Sequence, residues 1–467
     1  IKADLNDVNT LYIVLDNHKY GDLNPYLLKS SDRGSSWQSI KGNIPERTLV
    51  WRIVQDHVKP ELFFAATEFG IYFTIDGGLK WIKLTGDVPT ISFRDLAIQR
   101  RENDLVGASF GRSFYVFDDY NVLRHVSREM LEQEATLFPT RKAWWYLPSY
   151  VAYRLGADQF TAPNPPYGAV FTYYLKEGIK TKKDIRKEKE KIQVEKNQNV
   201  PFPGWDEVES ERRQEEPGIW LTVHDAEGNV VRRIKGVNKS GFNRTAWDLR
   251  YPATDAILNE EDINRNYIGA LVAPGNYTVT LSKQLDGITT ILSEPLLFEV
   301  VKMLQGALIG ADPQVVAAFW KETERLNKSV SAASKIIDKS LKQVDLMQYA
   351  LLRTPAVSGN LDSELHNLKQ ELFVLDELLN GNRSKREIGE KYKPTIADRL
   401  NLVSYGNSNS TYGPTETQKR TLEIAGTQFL DLKNSLDIIM NEKLPVIEKA
   451  LIDAGAPWIN GQPIPEY

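Results

Sequence analysis

Ser30-Ser31-Asp32-Arg33-Gly34-Ser35-Ser36-Trp37 recurs further along the chain as Thr74-Ile75-Asp76-Gly77-Gly78-Leu79-Lys80-Trp81. Both octets read hydroxyl, any, Asp, any, Gly, any, any, Trp, and their aspartates are 44 positions apart. An aspartate can accept backbone N–H groups across a turn, a glycine supplies a positive φ, and a tryptophan can pack onto a sheet. A repeat every 40–50 residues is typical of β-propeller blades. The octets therefore predict two equivalent hairpin turns, one per blade.

The octets resemble Asp boxes, the bacterial neuraminidase repeats of sialidase-like and sortilin-like β-propellers. The resemblance implies a turn on the outer rim of each blade and a structural role, not a catalytic one, for the pattern residues. These are Ser30, Asp32, Gly34 and Trp37 in the first octet and Thr74, Asp76, Gly78 and Trp81 in the second. Residues 104–119 align with 61–76 as a third copy, whose octet lacks the Gly and the Trp.

The composition limits the classes of function. With 467 residues, the chain is longer than a single hydrophobic core usually organises, so several domains are expected. A net charge of −4 gives no overall basic field for nucleic acid. Without cysteine, and with 5 histidines, the chain has no thiol chemistry and little material for a metal site, so no metal or cofactor is expected. No apolar run is long enough to span a membrane.

The pattern along the chain predicts a multidomain protein: β-propeller blades, then an immunoglobulin-like β-sandwich, then an antiparallel α-helical bundle. The blades occupy 1–125, and the sandwich, also similar to fibronectin domains, occupies 126–303 with a charged helical insertion at 176–217. The bundle occupies 304–455, and an extended Pro-rich tail covers 456–467. Alternating strands such as 274–281 predict the sandwich. Apolar residues spaced three and four apart after 312 predict the helices.

About three blade units are visible, whereas a propeller closes with at least four. The blades are therefore expected to be the C-terminal ones, with the N-terminal remainder of the same propeller as a partner on a separate segment. A chain cleaved by proteolysis, whose halves stay associated, is the alternative. The module order resembles large exported bacterial proteins labelled sortilin-like or glycosyl-hydrolase-like. It implies an extracytoplasmic location, in the periplasm, on the cell surface or secreted.

Three aromatic residues in a row, Trp144-Trp145-Tyr146, follow the blades. They could form a platform on which a sugar stacks, but aromatic side chains more commonly fill cores and interfaces. The sequence therefore favours a wedge between two domains.

Candidate catalytic residues come from the sialidase comparison, in which arginines bind a sugar carboxylate through their planar fork. Arg52, Arg94 and Arg112 lie at related places in successive units, and Glu68 and Asp95 are the candidate carboxylates of a two-carboxylate glycosidase. The plainer interpretation is that these are strand-end arginines paired with nearby acids. His18, Tyr20 and Asp22 share one blade loop and are candidate ligand-binding residues.

The favoured function is that of a non-catalytic binding protein that engages a protein, peptide or glycan through a propeller face. The alternative is a sialidase-like glycoside hydrolase with its active site at the propeller centre. That alternative requires carboxylates about 5–10 Å apart beside an open pocket.

Overall fold

The computed structural model describes residues 1–148, 160–264, 268–303, 306, 308–355 and 359–465. Within them the protein is rich in β-strands up to residue 302 and helical from residue 313 onward. The predicted order of several β-sheets followed by a helical region is confirmed at this level. The sheets are open rather than closed into a ring, so the propeller itself stays a prediction, as do the domain boundaries.

The first 117 residues form three consecutive antiparallel sheets whose strands follow chain order. The first sheet contains β1 (Lys2–Ala3), β2 (Leu11–Asn17), β3 (Asp22–Ser30) and β4 (Gln38–Ser39). The second contains β5 (Val50–Gln55), β6 (Phe63–Thr67), β7 (Gly70–Thr74) and β8 (Ile82–Lys83). The third contains β9 (Phe93–Gln99), β10 (Asp104–Ser109) and β11 (Phe114–Phe117). Short 3₁₀ turns occupy His18–Tyr20 and Tyr120–Arg124.

One backbone hydrogen bond recurs in all three sheets. In each sheet the loop between the first two strands offers a carbonyl oxygen, which accepts an N–H from the segment after the third strand. The three bonds run from Arg33 to Asn9 (2.9 Å), from Gly77 to Glu61 (3.0 Å) and from Tyr120 to Asn103 (2.9 Å). The third unit therefore keeps the backbone connection of the first two even though its octet has lost the Gly and the Trp.

Both octets close a turn between the third and fourth strands of their sheet. The Asp32 carboxylate accepts hydrogen bonds from the Ser30 hydroxyl (2.7 Å) and from the Ser36 amide (2.8 Å). The Asp76 carboxylate accepts the equivalent pair, from the Thr74 hydroxyl (2.6 Å) and the Lys80 amide (3.0 Å). The octet glycines, Gly34 and Gly78, have φ values of 91° and 101°, where a side chain is disfavoured.

Residues 128–302 form two further sheets that pack face to face around a shared core. One contains β12 (Ala135–Leu137), β14 (Ala169–Leu175) and β17 (Gly241–Trp247). The other contains β13 (Ala143–Trp145), β15 (Gly218–His224), β16 (Val230–Gly236), β18 (Gly275–Leu285), β19 (Ile288–Ile291) and β20 (Leu296–Lys302). The first strand of this larger sheet pairs with β20 in parallel. Short helices flank the strands: α1 (Arg128–Glu132), α2 (Lys182–Glu195), α3 (Trp205–Arg213) and α4 (Glu260–Asn264).

The remaining elements are helices, and all except the shortest, Arg383–Glu387, have one apolar face. They are α5 (Pro313–Leu351), α6 (Leu361–Asn380), α7 (Arg383–Glu387), α8 (Ile396–Asn409), α9 (Glu416–Ile438) and α10 (Leu444–Asp453). The Asp312 carboxylate accepts the Gln314 amide at 2.7 Å and caps α5. A single π-helical turn at Ile439–Lys443 separates α9 from α10 immediately before Pro445, which disrupts the regular helix ladder.

The hydrophobic core is divided in the first region and continuous in the second. One cluster of buried residues lies between the first and second sheets, and another lies between the second and third. In contrast, the buried residues of the paired sheets and of the helices form a single cluster. Trp145 of β13 and Trp320 of α5 meet within it, with their ring centroids 6.2 Å apart. Packing therefore couples the paired sheets to the helices.

Candidate functional site

Four of the predicted site residues meet where the second and third sheets adjoin. These four are Arg52, Glu68, Arg94 and Asp95, and together with Trp51, Ser92 and Phe110 they form what we call the arginine cluster. Its members lie on β5, directly after β6, directly before and at the start of β9, and in the turn after β10. The arginines and carboxylates were expected from the sequence. The aromatic partners are the new element.

Arg94 is held between two aromatic rings. Its guanidinium carbon lies 3.7 Å from the ring centroid of Trp51 and 5.0 Å from that of Phe110. Glu68 sets this arrangement, because its Oε2 atom accepts the Trp51 indole N–H at 2.9 Å and the Ser92 hydroxyl at 3.0 Å. The same oxygen lies 3.7 Å from Arg94 Nη2. A cation–π contact of this geometry orients the guanidinium and leaves its edge free to donate hydrogen bonds.

Arg52 forms the second ion pair of the cluster. Its Nε atom lies 2.9 Å from Asp95 Oδ1, and the same carboxylate oxygen accepts the Leu96 amide at 2.9 Å. The Arg52 Nε atom is buried, and its approach to Asp95 is too bent for a good hydrogen bond. Both candidate carboxylates thus have an arginine partner, Glu68 with Arg94 and Asp95 with Arg52. This pairing is the arrangement that the plainer interpretation expected.

Arg112 lies apart from the other two arginines in its contacts. It is exposed in the turn between β10 and β11, where Gly111 and Ser113 both have positive φ values, 71° and 68°. Among the described residues no ion pair or ring contact joins Arg112 to the arginine cluster. The structure therefore groups two of the three arginines proposed for a sugar carboxylate, and the third faces solvent.

The members of the predicted trio on the first-sheet loop have different environments. The His18 Nδ1 atom contacts the Asp16 carboxylate, and its ring lies edge-on to Trp51 with centroids 5.6 Å apart. Asp22 instead accepts the Tyr26 hydroxyl at 2.6 Å, a hydrogen bond that lowers its pKa. Tyr20 is 88% exposed. Of the three residues, His18 touches the edge of the arginine cluster, and a shared ligand site of His18, Tyr20 and Asp22 stays a prediction.

The structure contains a buried ion pair that was not predicted from the sequence. Asp56, at the end of β5, is fully buried and accepts two hydrogen bonds from the Arg124 guanidinium, both at 2.8 Å, and one from the Tyr120 hydroxyl at 2.7 Å. Burial opposes ionisation of Asp56, but these bonds outweigh it and lower its pKa to about 2. The partners are 68 residues apart, so no local pattern signals them. The ion pair therefore links the second sheet to the turn that follows the third sheet.

The aromatic triplet lies at the passage from the third sheet into the paired sheets. The Trp144 indole donates to the Glu102 carboxylate at 3.1 Å, and Arg141 donates to the same carboxylate at 2.8 Å. The Trp145 indole is buried and donates to the Val272 carbonyl at 2.7 Å. Trp144 thus contacts the loop between β9 and β10, and Trp145 lies in the core of the paired sheets, so a wedge between domains stays the favoured prediction.

Metal-binding clusters and membrane-spanning helices are both lacking in the part of the chain that the structure describes. There, no group of three or more histidine, aspartate and glutamate side chains is arranged to hold a metal ion. Over the same residues, no helix combines the length and the apolar character that crossing a bilayer needs.

Comparisons with known proteins found matches among solved structures. No family model matches the chain, and no curated protein matches it. Sixteen chains of solved structures match, among them two described as the extracellular domain of the one-component system BT4673 and that of the hybrid two-component system BT4673, both from B. thetaiotaomicron. Their sequence identities are 12% and 11%, and each match covers 62% of this chain. The chain spans about a third of their length, 31%, and the TM-score is 0.18 in both cases.

Proposed function

We propose that this protein is a non-catalytic, extracytoplasmic binding protein and that the arginine cluster is its contact surface for a protein, peptide or glycan. The observation that carries the proposal is the Arg94 guanidinium stacked between Trp51 and Phe110. Arginine and aromatic side chains are enriched at the few interface positions that dominate binding energy. Phe110 is 70% exposed, so it is available to a partner.

The chemistry of the cluster favours a peptide or protein with an acidic group beside an aromatic one. Arg94 is held in one orientation by its ring contacts, and its side chain is 40% exposed. A preorganised guanidinium can receive a carboxylate in a bidentate pair while losing little further freedom. The exposed ring of Phe110 offers an apolar neighbour for the same ligand.

The proposal includes the propeller architecture. We infer that the three consecutive sheets are successive blades of an Asp-box, sortilin-like propeller. The supporting observations are the hydrogen bond that recurs in each sheet and the apolar clusters between neighbouring sheets. In such an arrangement the first strand of each blade lies nearest the axis. Arg52 of β5 and Arg94 of β9 lie on these first strands.

Selection from a random-peptide phage library tests the contact surface. Peptides selected on the immobilised protein would be synthesised and titrated against wild type, Arg94→Gln and Phe110→Ala by fluorescence anisotropy. We expect acidic and aromatic residues to be enriched, and each substitution to weaken binding about tenfold, the effect of one lost interface anchor. Phe114→Ala is the matched control, because Phe114 is 71% exposed in the same hairpin and outside the cluster.

Peptides that bind all four proteins equally would place the contact surface elsewhere and contradict the proposal. The hydrolase alternative has its own outcome. It predicts cleavage of nitrophenyl glycosides by wild type, including sialosides, with a loss of at least about a hundredfold in Glu68→Gln or Asp95→Asn. Glycoside cleavage by wild type that is lost in these variants would show that the protein is a hydrolase and would contradict a non-catalytic role.

A further inference from the structure

A cavity of about 820 Å³ lies where the paired sheets meet the helical region, far in sequence from the arginine cluster. Its wall includes Tyr167, which precedes β14, and Arg250, which follows β17, together with Trp320 and Glu324 of α5 and Asn401 and Tyr405 of α8. The volume is within the range of small-molecule binding sites, about 300–1,000 Å³. No expectation from the sequence pointed to this place.

The wall formed by the sheets and α5 carries two carboxylates, those of Asp248 and Glu324, and one guanidinium, that of Arg250. The Arg250 guanidinium donates from Nη1 to the Gly269 carbonyl at 2.8 Å, so one of its hydrogen bonds goes to a neutral acceptor. The Glu324 carboxylate accepts the Thr254 hydroxyl at 2.9 Å, and burial raises the pKa of Glu324. The Asp248 carboxylate accepts the Arg250 amide at 3.2 Å. The one excess acid of this wall disfavours an anion.

The wall formed by α8 is rich in amides and hydroxyls. Asn401, Ser404 and Tyr405 are exposed along the helix and face the cavity. Asn407 follows one turn later, and its side-chain amide donates to the Thr323 hydroxyl at 3.3 Å. Amide and hydroxyl groups both donate and accept hydrogen bonds, so they match a ligand that carries many hydroxyls. The Tyr405 ring is 74% exposed and offers a flat apolar face.

We propose that this cavity binds a short neutral oligosaccharide, with Tyr405 stacking against a sugar ring and Asn401, Arg250 and Glu324 hydrogen-bonding to its hydroxyls. The mixed donors and acceptors satisfy hydroxyl groups, the excess of carboxylates disfavours an anion, and the volume accommodates about two to four sugar units. The site is distinct from the arginine cluster, and the inference does not rest on the function proposed for that cluster.

Isothermal titration calorimetry on the full chain tests the proposal. The probes are maltotetraose, cellotetraose, xylotetraose, mannotetraose and chitotriose, each at up to about 10 mM, which covers the weak end of specific binding. We expect at least one probe to bind wild type, and Tyr405→Ala and Asn401→Ala each to weaken that binding about tenfold. Both positions are exposed on α8, so neither substitution opens a hole in the core.

Tyr349→Ala is the matched control, because Tyr349 is 69% exposed on α5 and outside the cavity, and its binding should equal that of wild type. Circular dichroism of each variant establishes that the fold is intact. Three results would overturn the proposal: no heat with any probe, binding that Tyr405→Ala and Asn401→Ala leave unchanged, or binding only to a sulphated oligosaccharide tested alongside the neutral ones.

Discussion

The two octets share a sequence pattern and internal hydrogen bonds, but their tryptophans have opposite environments. Trp37 is 40% exposed, and its indole donates to the Gly34 carbonyl within its own turn at 3.1 Å. Trp81 is 2% exposed, and its indole donates to the Ile40 carbonyl, 41 residues earlier, at 2.9 Å. The same eight-residue pattern is thus a surface turn in one sheet and a joint between two sheets in the next.

The segment after β4 makes the difference. Asn43 accepts the Trp81 amide at 2.6 Å and donates to the Trp81 carbonyl at 3.0 Å, so it pairs with that residue's backbone as a strand would. A side chain on Gly78 would lie 2.9 Å from the Ile40 carbonyl oxygen, which shows how closely the two segments approach. The pattern therefore specifies the turn, whereas the neighbouring segment decides how much the turn contributes to stability.

The largest contrast is expected on removing each tryptophan. Trp81→Ala leaves a cavity between two sheets and an unpaired Ile40 carbonyl, so it should lower the free energy of unfolding by about 3–5 kcal/mol. Trp37→Ala removes a partly solvated ring and should cost about 1 kcal/mol or less. Urea unfolding followed by hydrogen–deuterium exchange of peptides that cover each turn measures both losses. Equal losses at the two sites would mean that the turn, not the joint, carries the stabilisation.

The octet glycines give a smaller contrast. Both have positive φ, so alanine at either position adds backbone strain of about 1–3 kcal/mol. The Cβ of Gly34→Ala would lie 3.6 Å from Trp37, an ordinary contact, whereas that of Gly78→Ala would lie 2.9 Å from a backbone oxygen. Gly78→Ala should therefore be the more destabilising by about 1 kcal/mol or more, since backbone cannot move aside cheaply. The same exchange measurement compares them, and an equal loss would argue against the close approach.

Much of the local structure could be predicted, because it depends on residues near one another in sequence. The turn hydrogen bonds of Asp32 and Asp76 follow from the octet pattern, and the apolar stripe of α6 follows from leucines spaced three and four apart. The Asp56–Arg124 pair, the stacking of Arg94 and the cavity beside α8 join segments distant in sequence. The pattern of a single sequence does not show which distant segments come into contact. Individual site residues could therefore be predicted, but their contacts with one another could not.

The smallest expected difference between the two turns is in how their stability changes at low pH. Hydrogen bonds from the Ser36 hydroxyl, the Ser36 amide and the Ser30 hydroxyl lower the pKa of Asp32 to about 2. At Asp76 burial opposes ionisation, but hydrogen bonds from Thr74 and Lys80 outweigh it and lower the pKa below 3.8. A carboxyl with a depressed folded-state pKa stabilises the fold above its unfolded value of 3.8, and this contribution disappears as the pH falls through the folded-state pKa.

The stability difference between wild type and Asp32→Asn should therefore be constant from about pH 7 to pH 5 and shrink as the pH falls toward 2. Asp76→Asn should show the same trend. If the pKa of Asp76 is lowered less than that of Asp32, the stability difference of Asp76→Asn disappears at a higher pH. Asp56 is present in wild type and in both variants, so its own titration cancels from each difference. Urea midpoints read on the turn peptides at successive pH values give both curves. Differences that stay constant down to about pH 2 would show that neither turn depends on an ionised carboxylate.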